Sequence, residues 1–313
     1  MLTDRFTVAL AQVDPRLGDV EANREIIRGR IADAIAGGAE LVVFPELALT
    51  GYFLKDQVAG VALKADSREF KWLRDLSRRI AIVTGAVEES REALFYNSAL
   101  YFEAGELRHA HRKCYLPTYG LFDEQRYFAR GRRIEAFDTR FGRIACLVCE
   151  DMWHPSTTMI SALDGALAVF TISCSPISGV ARGDVPENAA YWERLIRFNA
   201  ETWGVYVGFS NRVGFEDGVG FWGGSELVDP FGDTVSKAPY YEPALTFGEI
   251  DLQAVRRKRI SSTMLRDEEL DLTINELARI RGRDGHSLAG EQVSSTAGTA
   301  AIRAPVRRMR TKS

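Results

Sequence analysis

The sequence predicts an α/β protein of two mixed β-sheets packed together, with helices outside. Three observations carry this. Apolar residues switch repeatedly between a two-residue and a helical period along the 313-residue chain. Turn signals such as EAGE set hairpins into the strand–helix alternation, which a purely parallel doubly wound sheet does not contain. No linker-like stretch and no internal repeat divides the chain before about Ser287.

The elements follow in order. Thr7–Gln12 alternates and reads as a first strand. Asp19 can N-cap a helix in which Ile27, Ile31, Ala34 and Ile35 share a face, and Gly37-Gly38 ends it. Leu41–Phe44 reads as a buried strand that Pro45 stops. Phe70, Leu73, Leu76 and Ile80 repeat at helical spacing, and AIVTGAV follows as strand. SALYF and LRHAHRK flank EAGE as a hairpin, and IEAFDT and GRIACLVC flank another turn. Pro155 opens a short helix, ALAVFTIS is strand, and Glu187–Thr202 is a longer helix with Trp192, Leu195, Ile196 and Trp203 mostly on one side. VYVGFSN, GSELVD and ALTFGEID complete the strands. From about Ser287 the composition turns to Ser, Thr, Gly and Ala and then RAPVRRMRTKS. The expectation is one domain over 1–286 and a mobile, mildly basic tail over 287–313.

Bulk composition narrows the function classes. The chain is 46% hydrophobic and 27% charged with a formal net charge of −3, ordinary for a soluble globular protein. That balance has no electrostatic footprint for nucleic acid or an anionic membrane. Four cysteines are too few for a disulfide framework in a chain this long, which points to a reducing compartment. MLTDRFTVALAQ alternates rather than forming a signal-peptide core, and no apolar run approaches the roughly 18 residues of a membrane span, so a cytoplasmic protein is expected.

Three residues stand where strands run out into loops. Glu46 follows Leu41–Phe44 and Pro45, among groups that make its charge costly. Cys149 ends GRIACLVC before EDMWHP. A lone Cys ending a strand is more often a small core residue. The acidic pair Glu150-Asp151 forces the chain outward here, and a nucleophile at such a turn is held rigidly, with backbone N–H groups near a developing oxyanion. A cysteine nucleophile needs a proton acceptor and a cationic neighbour. His154 is too close in sequence to orient against Cys149, whereas His109 and His111 share one side of a hairpin strand, so a dyad with His111 stays open. Lys113, after that strand, precedes a Tyr-, Leu-, Phe- and Pro-rich segment that reads as a lid. In α/β sheets such strand ends converge on the site.

VVFPELALTGY, HRKCYLPTYGLFDEQRYF and CLVCEDMW resemble, in order, the three motif blocks of the nitrilase (carbon–nitrogen hydrolase) superfamily. The resemblance runs from about Val8 to Asp251 and takes in GDVEAN, YNSALYF and GGSELVDPFGDTV. The wording of the blocks is most similar to the glutamine-hydrolysing domain of glutamine-dependent NAD synthetases. The resemblance implies a four-layer α–β–β–α sandwich and a Glu46–Lys113–Cys149 triad. Glu46 is then the general base, Cys149 attacks an amide or nitrile carbon to form a thioester, and Lys113 with the N–H after Cys149 steadies the oxyanion. Glu124 matches the family's second glutamate, which positions the lysine and the substrate. A low-dielectric pocket is expected to raise Glu46 toward the useful range for a base. The family also implies pairing of copies through a helix face, as a homodimer or higher oligomer.

By the same resemblance Ser175 and Arg182 are candidates for a substrate α-carboxylate, with Glu150 also at the substrate; Tyr119 and Trp153 are candidates to wall the pocket. No cofactor is expected. Nor is a metal: Cys146-Leu-Val-Cys149 is formally CxxC, but Leu-Val inside a strand is no zinc knuckle. Gly218-Val-Gly220-Phe-Trp-Gly223 fits GxGxxG but leads into a strand, so it reads as a turn rather than a dinucleotide site. Two functions stay open: an amide hydrolase acting alone, or a glutaminase subunit handing ammonia to a synthetase partner. Fused synthetases carry an SGGxDS-like phosphate loop that these residues lack, so a hydrolase region without a synthetase domain is expected. An inert scaffold on the same fold is disfavoured by the intact triad.

Overall fold

The computed structural model describes residues 4–64, 67, 70–179 and 185–283. In chain order the strands are β1 (Arg5–Gln12), β2 (Leu41–Val43), β3 (Leu63–Lys64), β4 (Ala81–Glu89), β5 (Phe95–Glu103), β6 (Glu106–Arg112), β7 (Ala136–Thr139) and β8 (Gly142–Val148). They continue with β9 (Ala168–Ser173), β10 (Tyr206–Asn211), β11 (Val213–Glu216), β12 (Val219–Trp222), β13 (Glu226–Val228), β14 (Thr234–Lys237) and β15 (Ala244–Asp251). The helices are α1 (Val20–Ala36), α2 (Val58–Val61), α3 (Lys71–Leu76), α4 (Glu124–Tyr127) and α5 (Glu150–Trp153). After them come α6 (Pro155–Leu163), α7 (Glu187–Trp203), α8 (Leu252–Ser261), α9 (Met264–Asp267) and α10 (Leu270–Arg283).

One sheet has the order β15–β1–β2–β4–β5–β6 with β3 beside β4, and the other β14–β13–β10–β9–β8–β7. Both are mixed, as predicted. β1, β2 and β4 run parallel, and so do β8, β9 and β10. Antiparallel pairs complete both sheets: β4–β5–β6 and β7–β8 are hairpins, and β15 and β13 join β1 and β10 through longer connections. The layers follow from side-chain alternation. On β1, Val8 and Leu10 join the core between the sheets, with Ile144 and Phe170 of the second sheet. Ala9 and Ala11 face outward and pack with Ile27 and Ile31 of α1 and Leu73 of α3. Trp192 and Ile196 of α7 pack on the outer face of the second sheet, where Trp192 stacks on Phe209. Each fully buried side chain of this size contributes about 1.5–3 kcal/mol. The result is the α–β–β–α sandwich.

Local signals behave as read. The Asp19 carboxylate accepts the Ala22 N–H at 3.0 Å and caps α1. The helical spacing through Ile80 is cut short, because α3 ends at Leu76. There Ser77 ties the turn to the next hairpin: its carbonyl accepts the Ala104 N–H and its hydroxyl the Gly105 N–H. The GxGxxG run supplies the β11–β12 turn at Gly218 and then the whole of strand β12, so only its first residue belongs to that turn. By compactness the chain divides into Met1–Asp267 and Glu268–Ser313, the described part of the second being essentially α10. The expected tail from Ser287 lies outside the described residues. Among the described residues no helix is long and apolar enough to cross a membrane.

Because β4, β5 and β6 alternate in direction, β6 runs the same way as β2. The chain therefore leaves β2 and β6 at one end of the first sheet.

Candidate active site

Glu46 sits in the loop that leaves β2. Leu47 takes a positive φ of 47°, turning the chain sharply. The loop lies on bare backbone at Gly85, where a Cβ would stand 2.2 Å from the Leu47 nitrogen. Glu46 is fully buried. Its Oε1 accepts from Asn97 Nδ2 at 2.6 Å and Lys113 Nζ at 2.8 Å, and its Oε2 from the Cys174 N–H at 2.7 Å. A carboxylate has about four acceptor sites. Three are filled, leaving one on Oε2.

Lys113 follows β6. Its N–H donates to the Asn97 carbonyl and its carbonyl accepts the Gly131 N–H. At Gly131 a Cβ would lie 1.9 Å from the Arg112 carbonyl, so only glycine lets this crossing form. The ammonium, 1% exposed, reaches Glu46 Oε1 and, at 2.7 Å, Glu124 Oε1. Burial opposes its charge, but the attraction of Glu124 and Glu46 outweighs burial and holds the lysine well above its ordinary range. It stays cationic, with a third proton to give. Burial and the charge of Glu46 push Glu124 up to about 7 against the pull of Lys113. Glu124 Oε1 also accepts the Tyr52 hydroxyl at 2.5 Å, whereas its Oε2 is buried with no partner. An acceptor left bare in that setting is costly unless a ligand fills it.

Cys149 leaves β8 with φ 45° and ψ −101°, a conformation rare for a non-glycine residue. Its N–H donates to the Ile172 carbonyl, and the Ser173 hydroxyl donates to Sγ at 3.3 Å. Burial and the Glu46 charge push the thiol well up, although Lys113 pulls it down. The resting group is a neutral thiol, which needs a base at the moment of attack.

Cys149 opens into a cleft of about 280 Å³. Four of the five expected substrate residues line it: Tyr119, Glu150, Trp153 and Ser175. Arg182 lies outside the described residues. The Tyr119 hydroxyl donates to Glu150 at 2.8 Å. Trp153 stacks on Tyr191 and meets Trp192 edge-on. The Ser175 hydroxyl oxygen accepts from Trp192 Nε1 at 3.0 Å and Asn188 Nδ2 at 3.2 Å, so its own proton is free to donate elsewhere.

Several residues of the site escaped the sequence reading: Asn97, Tyr52, Ser173, Asn188 and Trp192. The signal for Asn97 was a polar side chain inside the buried strand β5, which must find a partner. His111 is bonded to Asp151 at 2.8 Å. His111, Cys114 and Asp151 bring ligand-type atoms within 4.8 Å of one another. Both Asp151 oxygens already accept backbone N–H groups, and burial pushes the Cys114 thiol up to about 12. That set is built for hydrogen bonding rather than metal ligation.

A family model described as carbon–nitrogen hydrolase matches residues 7–260. The chain is 32% identical over 287 residues to a glutamine-dependent NAD(+) synthetase of Synechocystis sp., covering 85% of this chain and 50% of that protein. It thus spans about half the length of that relative. A carbon–nitrogen hydrolase from Helicobacter pylori G27 shares the fold with a TM-score of 0.76 at 24% identity, over 87% of this chain and 98% of that one. An amidase from Nesterenkonia sp. aligns with a TM-score of 0.71 at 25% identity, over 86% and 95%. Matched from its first strand through the sandwich, the chain belongs to the carbon–nitrogen hydrolase family of the nitrilase superfamily.

Proposed function

We propose that the chain hydrolyses a small carboxamide to a carboxylate and ammonia through a thioester on Cys149. The observation that carries this is the Lys113 ammonium, buried between two carboxylates beside a neutral thiol at a cleft. Glu46 takes the thiol proton on its open Oε2 site as sulfur adds to the amide carbon. The C=O electrons move to oxygen, where the third proton of Lys113 and the Glu150 N–H stabilise them. Glu46 returns the proton to nitrogen, the C–N bond breaks and ammonia leaves. Water, deprotonated by Glu46, then adds to the thioester, and the C–S bond breaks as Glu46 returns that proton to sulfur, releasing the acid, which ionises to the carboxylate. The bare Glu124 Oε2 suits the N–H of a carboxamide, a donor that a nitrile lacks.

Two features favour glutamine-like substrates. Ser175 has a proton to give to a carboxylate, and Glu150 offers a carboxylate to an ammonium. The similarity to NAD synthetases over about half their length favours, as a second reading, a glutaminase that passes ammonia to a synthetase partner. We also infer pairing of copies through the outer faces of α6 and α7, where Ile160, Tyr191 and Phe198 are exposed; light scattering tests it, and a monomer at micromolar concentration removes it.

Ammonia release tests the main reading. The purified chain is offered glutamine beside neutral amides, with Cys149→Ala as the blank. Cys149-dependent release is expected, and faster release from glutamine supports the carboxylate contact. Release that persists in Cys149→Ala rejects the mechanism.

A further inference from the structure

The proposed chemistry needs Lys113 and Cys149 at a fixed spacing, yet they belong to different sheets. Lys113 follows β6 of the first sheet and Cys149 follows β8 of the second. The sheets meet through an apolar core. Hydrophobic attraction is non-directional and sets no spacing to a fraction of an ångström. Directional bonds must do that.

Asp151 makes them. It is fully buried on α5, two residues beyond the nucleophile. Its Oδ1 accepts the N–H groups of Cys114 and Tyr115, at 2.9 and 3.0 Å, directly after Lys113. Its Oδ2 accepts the Val148 N–H at 3.1 Å, directly before Cys149. His111, 3% exposed and two residues before Lys113, supplies the fourth donor at 2.8 Å through Nε2. Because Oδ2 is an acceptor, the ring carries its proton on Nε2. The His154 ring also stacks on Tyr115 with centroids 3.5 Å apart. One carboxylate thus binds the segments carrying Lys113 and Cys149, and a buried carboxylate tolerates such a place only when its donors are complete.

We propose that Asp151 and His111 are positioning residues, a clamp across the two sheets that sets the spacing of Lys113 and Cys149. The proposal rests on the hydrolase reading of the site, and it assigns His111 to structure under tension with catalysis rather than to a Cys–His dyad. Without the His111 donor, Asp151 is under-satisfied, the Cys114–Tyr115 anchor slackens and the ammonium withdraws from the forming oxyanion. Transition-state stabilisation is lost while the substrate-binding walls stay in place.

The test compares His111→Ala with His111→Gln, whose side-chain amide N–H can reach the Nε2 position. A misplacement of about 1 Å costs about 100-fold in rate. His111→Ala is expected to lower kcat by about 10- to 100-fold with KM within about twofold, and His111→Gln to recover most of the loss. Thermal midpoints are recorded beside the kinetics. An unchanged kcat in folded His111→Ala, whatever its midpoint, overturns the clamp and leaves a fold staple. If His111→Ala does not fold, His111→Asn serves in its place: its shorter amide falls short of Asp151, and equal kcat for the Asn and Gln variants overturns the proposal.

A second arm needs no amide substrate. Alkylation of Cys149 by iodoacetamide is followed by peptide mapping, with Cys149→Ala as the blank. A more distant ammonium stabilises the thiolate less, so His111→Ala is expected to react several-fold more slowly at pH 7, with Gln restoring the rate. Equal rates overturn the clamp. Wild-type protein that alkylates but turns over no amide removes the reading of a hydrolase acting alone, and this arm still decides the clamp.

Discussion

Two buried cations in this molecule are each held by two carboxylates, and they are finished differently. Arg212 donates to Glu216 at 2.5 Å and to Asp14 at 3.1 Å, and lies over the Phe221 ring. Both oxygens of Glu216 are partnered, the other one accepting the Tyr52 and Phe53 N–H groups. Around Lys113 the same composition is left open. Glu124 Oε2 is buried with no partner, and the ammonium keeps a spare proton. Arg212 does keep one bare N–H, at Nε, but the oxygens of its Glu216 partner are both filled. Residue type alone therefore does not separate a structural ion cluster from a chemical one. What separates them is whether a buried carboxylate oxygen is left without any partner.

That contrast is sharpened first by Glu46→Gln. A general base contributes about 10²–10⁴-fold, so kcat should fall toward the upper end, by about 10³- to 10⁴-fold, with little change in unfolding midpoint. Steady-state ammonia release measures it, and a fall under tenfold removes Glu46 as the base. The counterpart is Arg212→Met, which strands Glu216 and Asp14. Denaturant unfolding should show a loss of about 3–5 kcal/mol, the usual cost of breaking a buried pair. A loss under 1 kcal/mol would mean that the Arg212 cluster is no better built than an exposed pair.

A pH titration reaches Glu124. Its value near 7 lies above the ordinary 4.5, so the folded chain keeps a proton that the unfolded chain releases. The stability from that proton is complete below about 4.5 and is lost as pH rises through about 7. Wild-type unfolding free energy should therefore decline over this window, and Glu124→Gln should flatten the decline. The kcat/KM profile should rise through the same window, because the ionised carboxylate holds Lys113 and accepts the amide N–H. An unaltered profile in Glu124→Gln removes that assignment. The smallest effect is expected at the cleft mouth: Tyr119→Phe frees one Glu150 bond and should change KM for glutamine by about 3- to 10-fold, with kcat nearly constant. A kcat effect larger than the KM effect would move Tyr119 from binding to chemistry.

The legible part of this molecule is the part written locally. Lys113 and Cys149 follow their strands directly, and Glu46 lies just past β2, where Pro45 marks the stop. The Glu150-Asp151 pair was read as forcing the chain outward, but Asp151 is fully buried, because four donors meet its carboxylate. Asn97 and Asp151 were not read as site residues because their partners are distant: Asn97 and Glu46 are 51 residues apart, and His111 and Asp151 are 40 apart. Only the sheet order brings those pairs together. The positive φ at Cys149 was equally hidden, because cysteine has no intrinsic preference for it and the surrounding bonds impose it. The tension between His111 as base and His111 as anchor had the same origin: one strand face is readable, but the element packed against it is not.

The central claim is a covalent acyl intermediate on Cys149. The most direct measurement is acid quenching of wild-type protein during turnover of glutamine or the best neutral amide, followed by intact-mass and peptide analysis. The account predicts an added acyl group on the peptide containing Cys149, absent from Cys149→Ala and accumulating when the later hydrolysis step is slowed. Turnover that proceeds in Cys149→Ala, with no acyl group on Cys149 in the wild type, would contradict it.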